Sequence, residues 1–351
     1  MAICINKETD HFFISIGKIN QHSFIMLGVY DDFQVSHLLC RVGKIFDLPN
    51  QTKGIKRCLS IYSALSGAIF ASSKAKIEDE GITRKRKGSA PISYQAYDIS
   101  YEQYCEFVHY LESIQTESNQ FECFKPLVQN GNAVYFSQTS SRVFATGSHW
   151  KELNEEIHEI NTGNTCRHSA IKLIEAVTKT SVPSSISSCF FINLPYKTQL
   201  DYGKPSQNIP FYVLPPPPPS IHPGFNKEKR LIAKKLYHRI EQLPVLEPNS
   251  PMTKRKFNSL KNLYLQIIGS QKNQSIDELL FGIQQWKEKN RVDLQTLRRT
   301  YFWDSFIVRE SATMKLINEI EKISNAPSAH IKYCYDNIRV RAYRIFASYR
   351  A

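Results

Sequence analysis

The chain has 351 residues, 42% of them apolar, which is material for two domains of ordinary size. Its formal net charge of +13 is unevenly spread. Residues 1–225 carry 21 Lys and Arg against 20 Asp and Glu, whereas residues 226–351 carry 24 against 12. The eight cysteines (4, 40, 58, 105, 123, 166, 189 and 334) are dispersed, with no CxxC pair. That excludes a small disulfide scaffold and a cysteine-paired zinc site, and fits reduced thiols in a cytosol-like compartment. Lys7, Glu8 and Asp10 interrupt any signal-peptide core, and no stretch approaches the roughly 20 apolar residues of a membrane span.

The first 45 residues predict an antiparallel meander, with strands over 12–18, 23–30 and 35–42. Asn20-Gln21-His22 and Asp31-Asp32 are its turns. Residues 58–72 are small and apolar, and a helix is expected. Residues 74–92 are polar, include Thr83-Arg-Lys-Arg-Lys87, and read as a surface loop. Residues 100–115 predict a helix with Ser100 and Gln103 in a capping box and Tyr104, Phe107, Val108 and Leu111 on its buried face. Residues 121–149 read as loop with short strand signals. Strands are expected at 188–194 and 209–214.

Pro215 to Pro219 is an unbroken proline run, read as a stiff extended spacer that coincides with the change in charge. The expected division is therefore 1–214, a linker at 215–225, and 226–351. Beyond the linker, helical periodicity recurs over 226–242, 253–268, 274–289, 291–309, 311–323 and 328–349, and a basic α-helical bundle is expected. The fold class is α+β, an antiparallel sheet with packed helices, followed by this bundle.

The chemistry centres on Asn161-Thr-Gly-Asn-Thr-Cys-Arg-His-Ser-Ala-Ile-Lys-Leu-Ile174, a polar turn that becomes a helix. Asn164 or Thr165 serves as N-cap, which places Cys166 in the first turn. Unpaired backbone N–H groups there favour negative charge, and so a thiolate. A thiolate nucleophile needs a base. His168, two residues on, points to another side of the helix. His22 opens a strand and can face the helix start. A third polar group would orient the imidazole: His37 is the leading candidate, with Asn20 and Gln21 as alternatives. Asn161 and Asn164, with nearby backbone N–H groups, are candidate oxyanion donors. Glu155-Glu-Ile-His-Glu159 lacks the order of a zinc-protease helix, and no phosphate-binding glycine loop or GxSxG elbow occurs. No metal or cofactor is expected.

His22-Ser-Phe-Ile-Met-Leu27 followed far downstream by Asn164-Thr-Cys-Arg-His-Ser-Ala-Ile171 resembles the circularly permuted papain-like thiol enzymes, among them the NlpC-like, PPPDE-type and lecithin:retinol acyltransferase-like families. The resemblance covers roughly residues 12–195. It implies a papain-like α+β core, with Cys166 as nucleophile and His22 as base. Thr165 intervenes where the family has Asn-Cys directly, and the spacer between the two motifs is long. The Lys-, Ile-, Asn- and Ser-rich chain also resembles secreted effectors of Legionella-type bacteria, which implies delivery into a host cytoplasm. The expected function is cysteine-dependent hydrolysis or acyl transfer on a protein substrate, and the resemblance to effectors adds host proteins to the candidates. The alternative is a non-catalytic adaptor that binds a host protein and holds an anionic membrane surface through 226–351. Nucleic acid is not the expected partner, because no recognised binding motif accompanies the basic and aromatic residues of 328–350.

Overall fold

The computed structural model describes residues 2–323, apart from 49–54, 82–88, 145–152, 154–156, 183–185, 190, 202–203, 206–207, 219–226, 271–274, 299 and 306–308. The chain divides into two compact units, Met1–Ser220 and Ile221–Ala351.

The first unit is α+β. Its strands in chain order are β1 (Ala2–Asn6), β2 (His11–Ile19), β3 (His22–Asp31), β4 (Gln34–Phe46), β5 (Ser73–Asp79), β6 (Ser89–Ile99), β7 (Cys123–Asn130), β8 (Ala133–Thr139), β9 (Glu159–Ile160), β10 (Tyr196–Asp201), β11 (Lys204–Pro205) and β12 (Val213–Leu214). The larger sheet runs β11-β10-β6-β2-β3-β4-β5-β9. Its pairings are antiparallel, except that β12 joins β6 in parallel. A smaller antiparallel sheet runs β1-β8-β7.

The meander forms because its strands are apolar along most of their length, as suits a sheet buried on both faces. Phe13, Ile14, Ile16, Phe24, Met26, Leu27 and Leu39 are essentially inaccessible. Ile19 pairs with His22 across a two-residue turn, with Asn20 at φ 51°. Asn tolerates that left-handed conformation. The third strand therefore starts at His22 itself, one residue earlier than expected.

The described residues of this unit include the helices α1 (Ile55–Phe70), α2 (Tyr101–Ile114) and α3 (Cys166–Thr178). The capping box at Ser100 and Gln103 is present in α2, and Tyr104, Phe107, Val108 and Leu111 are fully buried. Its Glu112 is buried with Lys125 at 2.8 Å and also accepts the backbone N–H groups of Val143 and Phe144. α3 lies on the central strands through Ala170, Leu173, Ile174 and Val177, all buried.

Several expectations are corrected. The stretch 74–92 is not one loop: β5 occupies its start and β6 begins at Ser89. Ala75 and Ile77 are buried and alternate with Lys74, Lys76 and Glu78, a strand period masked by the surrounding polarity. The basic run Thr83–Lys87 lies outside the described residues. The described residues of 188–194 form a turn, bends and irregular chain, and the strand follows at β10, where β6 offers a pairing edge. The 209–214 strand shortens to β12. Pro215 and Pro217 are buried, so the proline run starts as packed chain.

In the second unit the described residues form α4 (Lys227–Gln242), α5 (Pro251–Gly269), α6 (Ile276–Lys289), the short α7 (Arg291–Gln295), a 3-10 turn (Phe302–Ser305) and α8 (Ala312–Glu321). Ile232, Leu236, Ile240, Leu260, Ile267, Ile283 and Ile317 are buried between them. The expected helix over 291–309 breaks after Gln295. The 328–349 helix lies outside the described residues. Not all the basic charge reaches solvent. Lys229 and Lys256 are buried, and Lys256 donates to the Leu294 carbonyl at 3.0 Å. Burial, with Arg239 and Arg298 nearby, pushes the Lys256 ammonium down to about 8.

Candidate active site

Cys166 is the first residue of α3. Thr165 caps the helix in an extended conformation, and its hydroxyl accepts the His168 N–H. The helix start is fixed from both sides. On the N-terminal side, Asn161 closes a tight turn: its side-chain carbonyl accepts the N–H groups of Gly163 and Asn164 at 2.9 and 2.8 Å. Beneath that turn is Lys44 of β4, which is 2% exposed. Its ammonium donates to Asn164 Oδ1 at 3.0 Å and to Ser169 Oγ at 2.9 Å, tying turn, helix and sheet together. On the other side, the fully buried Arg167 donates to the carbonyls of Ser187 and Cys189 at 3.1 and 2.8 Å. Lys18 of β2 extends the same anchoring to Asn193 at 2.8 Å.

This placement brings Cys166 against the beginning of β3. The Ser23 N–H donates to Cys166 Sγ at 3.3 Å, and the preceding residue, His22, lies close enough to influence the ionisation of the same thiol. Residues 143 positions apart in sequence thus share one corner of the sheet. Burial opposes ionisation of Cys166. The His22 contact, the Ser23 and Arg167 N–H groups and the His22 charge outweigh it, and the thiol lies below its ordinary range. His22 is the converse case. Burial would lower it, but its bonds to Cys166 and Glu80 and the charge on Glu80 raise it to about 9.

The group that orients His22 is Glu80, immediately after β5. One carboxylate oxygen contacts His22 Nε2. The other faces Arg41 Nη2 at 2.9 Å, and both Glu80 and Arg41 are buried. The Arg41 guanidinium also lies 4.2 Å from the Phe24 ring centroid, and His22 stacks on that same ring. Glu80 is held by its backbone too, since its N–H donates to the Arg41 carbonyl at 3.0 Å. Gly43 makes room for the pair. A Cβ at that position would overlap the Glu80 carboxylate and come within 2.8 Å of His22 Nε2.

Of the residues singled out in the sequence, His22 and Cys166 are brought together. His37 is not. It pairs with Val29, seven residues along β3 from His22, about 23 Å away at strand rise. Register decides this: β4 runs antiparallel to β3, so His37 falls at the opposite end of the hairpin. Asn161 and Asn164 shape the turn before the nucleophile, with their side-chain carbonyls engaged there as acceptors. Glu80, Arg41, Lys44 and Gly43 were not anticipated. For Glu80 the available signal was the alternation of Ala75 and Ile77, which carries β5 to its edge.

Comparisons with protein-family models, with curated proteins and with solved structures found no match. Among the described residues no helix is long and apolar enough to cross a membrane, and no group of three or more His, Cys, Asp or Glu is placed to hold a metal ion.

Proposed function

We propose that this protein is a cysteine-dependent hydrolase or acyl transferase with a papain-like core in circularly permuted order, acting on a protein substrate. The observation that carries the reading is the continuous Cys166–His22–Glu80–Arg41 array, with the thiol at a helix N-terminus. A nucleophile, a neighbouring base and a carboxylate that orients the base are the parts that thiol catalysis requires.

The chemistry follows from the protonation states. The lowered Cys166 thiol and the raised His22 imidazole both favour a thiolate–imidazolium pair. Glu80 occupies His22 Nε2, which leaves Nδ1 to serve the sulfur. Thiolate attack on an amide, isopeptide or thioester carbonyl forms the carbon–sulfur bond and moves the carbonyl electron pair onto oxygen. Backbone N–H groups of the first helical turn are the donors for that oxyanion. Collapse of the intermediate breaks the bond to the leaving group, which takes its proton from His22. The neutral imidazole then removes a proton from water, or from an acceptor nucleophile, which attacks the acyl-enzyme and releases Cys166 as thiolate.

The test is the pH dependence of iodoacetamide labelling at Cys166, read by mass spectrometry, in wild type and His22→Ala. The expected result is labelling that reaches a plateau well below the ordinary thiol pKa of about 8.5 and is lost at neutral pH in His22→Ala. Wild-type labelling that tracks the exposed Cys4 and Cys58 would remove the basis of the proposal.

A further inference from the structure

Helix α1 is built inside out. Its face toward the sheet is small. Ala68 is buried, the Ser73 hydroxyl donates to the Ala64 carbonyl at 2.7 Å, and a Cβ on Gly67 would come within 2.6 Å of that hydroxyl. The large apolar side chains point outward instead. Leu59, Tyr62, Leu65 and Ile69 recur three or four residues apart and so share a face, with Phe70 beside them. They are 63%, 74%, 46%, 61% and 85% exposed. A continuous stripe of this kind marks a contact surface, because scattered exposed residues would not keep helical register.

The charges of α1 indicate what covers it. Lys56 and Arg57 are its only charged residues, and both lie in the first turn. Cations at a helix N-terminus oppose the helix dipole and cost the fold stability, so their value is external. An apolar stripe with cations and no carboxylate suits the headgroup region of an anionic bilayer, where aromatic and aliphatic side chains enter the acyl boundary and basic ones meet lipid phosphates. We infer that α1 is an interfacial helix that docks this protein on an anionic lipid surface. α1 connects β4 to β5, the strands that supply Gly43 and Lys44 and lead into Glu80, so docking through α1 would set the candidate active site to work at a membrane surface. The inference is independent of catalysis.

The experiment is flotation of the full-length protein with vesicles of phosphatidylcholine alone and of phosphatidylcholine with 30% phosphatidylserine (about one lipid in three). The variants are Leu65→Asp/Ile69→Asp, Lys56→Gln/Arg57→Gln and Cys166→Ala. Leu65 and Ile69 are exposed, so circular dichroism and the melting midpoint of Leu65→Asp/Ile69→Asp should match wild type. The expected result is flotation with the anionic vesicles only. It falls at least about tenfold in Leu65→Asp/Ile69→Asp, because two apolar side chains lose their transfer into lipid. It weakens and loses salt sensitivity in Lys56→Gln/Arg57→Gln, and is unchanged in Cys166→Ala. Three outcomes overturn the inference: wild type that does not float; an aspartate variant that floats like wild type, which would assign docking to the basic second unit; or a wild-type dimer that the aspartate variant dissolves, which would assign the stripe to self-association.

Discussion

Glu80 stands between His22 and Arg41, giving one carboxylate oxygen to each. The ion pair with Arg41 fixes the carboxylate. The carboxylate in turn holds the imidazole and favours its charged form. The two strands that make this possible are neighbours: β4 provides Arg41, and Glu80 follows directly on the end of β5. The site is thus organised from the sheet outward to the thiol.

The first prediction concerns pH. His22 is raised from 6.5 to about 9 in the folded protein, so its contribution to stability is complete below pH 6.5 and is lost as pH rises through 9. Over the same range the thiolate–imidazolium pair gives way to a thiolate beside a neutral imidazole. Acylation of Cys166 by p-nitrophenyl acetate, followed by mass spectrometry, should reach a plateau below pH 8, and deacylation should accelerate as His22 loses its proton near pH 9. His22→Ala should slow acylation at pH 7 by roughly 10²–10⁴-fold. An unchanged rate would exclude His22 as the base.

Replacing Glu80 by Gln keeps the shape and removes the charge. It leaves Arg41 buried without its counter-ion, at a cost of about 3–5 kcal/mol in urea unfolding. Loss of the charge-assisted bond to His22 should also lower the imidazole pKa and slow Cys166 labelling at pH 7 by about 10–100-fold per folded molecule. Labelling at wild-type rate in the folded fraction would separate Glu80 from the chemistry.

Gly43→Ala tests the same contact by steric means. The added methyl overlaps the Glu80 carboxylate and crowds His22 Nε2. A destabilisation of about 1–3 kcal/mol is expected from overpacking. The labelling pH profile should move toward that of Glu80→Gln, since the bond between the two side chains is forced apart. A wild-type profile would show that the pair can shift without losing register.

Lys44→Met keeps the aliphatic stem and deletes the ammonium. Asn164 Oδ1 then loses its buried cationic donor, and Ser169 loses a partner. The predicted cost is about 1–3 kcal/mol by thermal or urea unfolding. Hydrogen exchange should rise first at Gly163 and Asn164, whose N–H groups close the turn before Cys166. Uniform exchange across the domain would assign Lys44 a general packing role instead.

Local information in the sequence determined the meander, the helix behind Ser100 and the capped helix that starts at Cys166. Each is written in near-neighbour terms: apolar strands punctuated by Asn20-Gln21 and Asp31-Asp32, a Ser–Gln capping box, a threonine before a helical repeat. These features also marked Cys166 and His22 as the candidate nucleophile and base, because a thiol at a helix start and a histidine at a strand start are legible without partners.

Tertiary structure alone decided the third member. Choosing His37 required strand register, which places it at the far end of β3 from His22, whereas Glu80 reaches His22 because β5 adds to the outer side of β4. The strand leading to Glu80 was hidden because β9 covers only its first two residues, which leaves the polar residues of its alternation at least partly accessible, and it reads as loop until β4 pairs with it. The outward stripe of α1 was hidden for a related reason. Periodicity reveals that a face is apolar, but only packing reveals which face the protein buries.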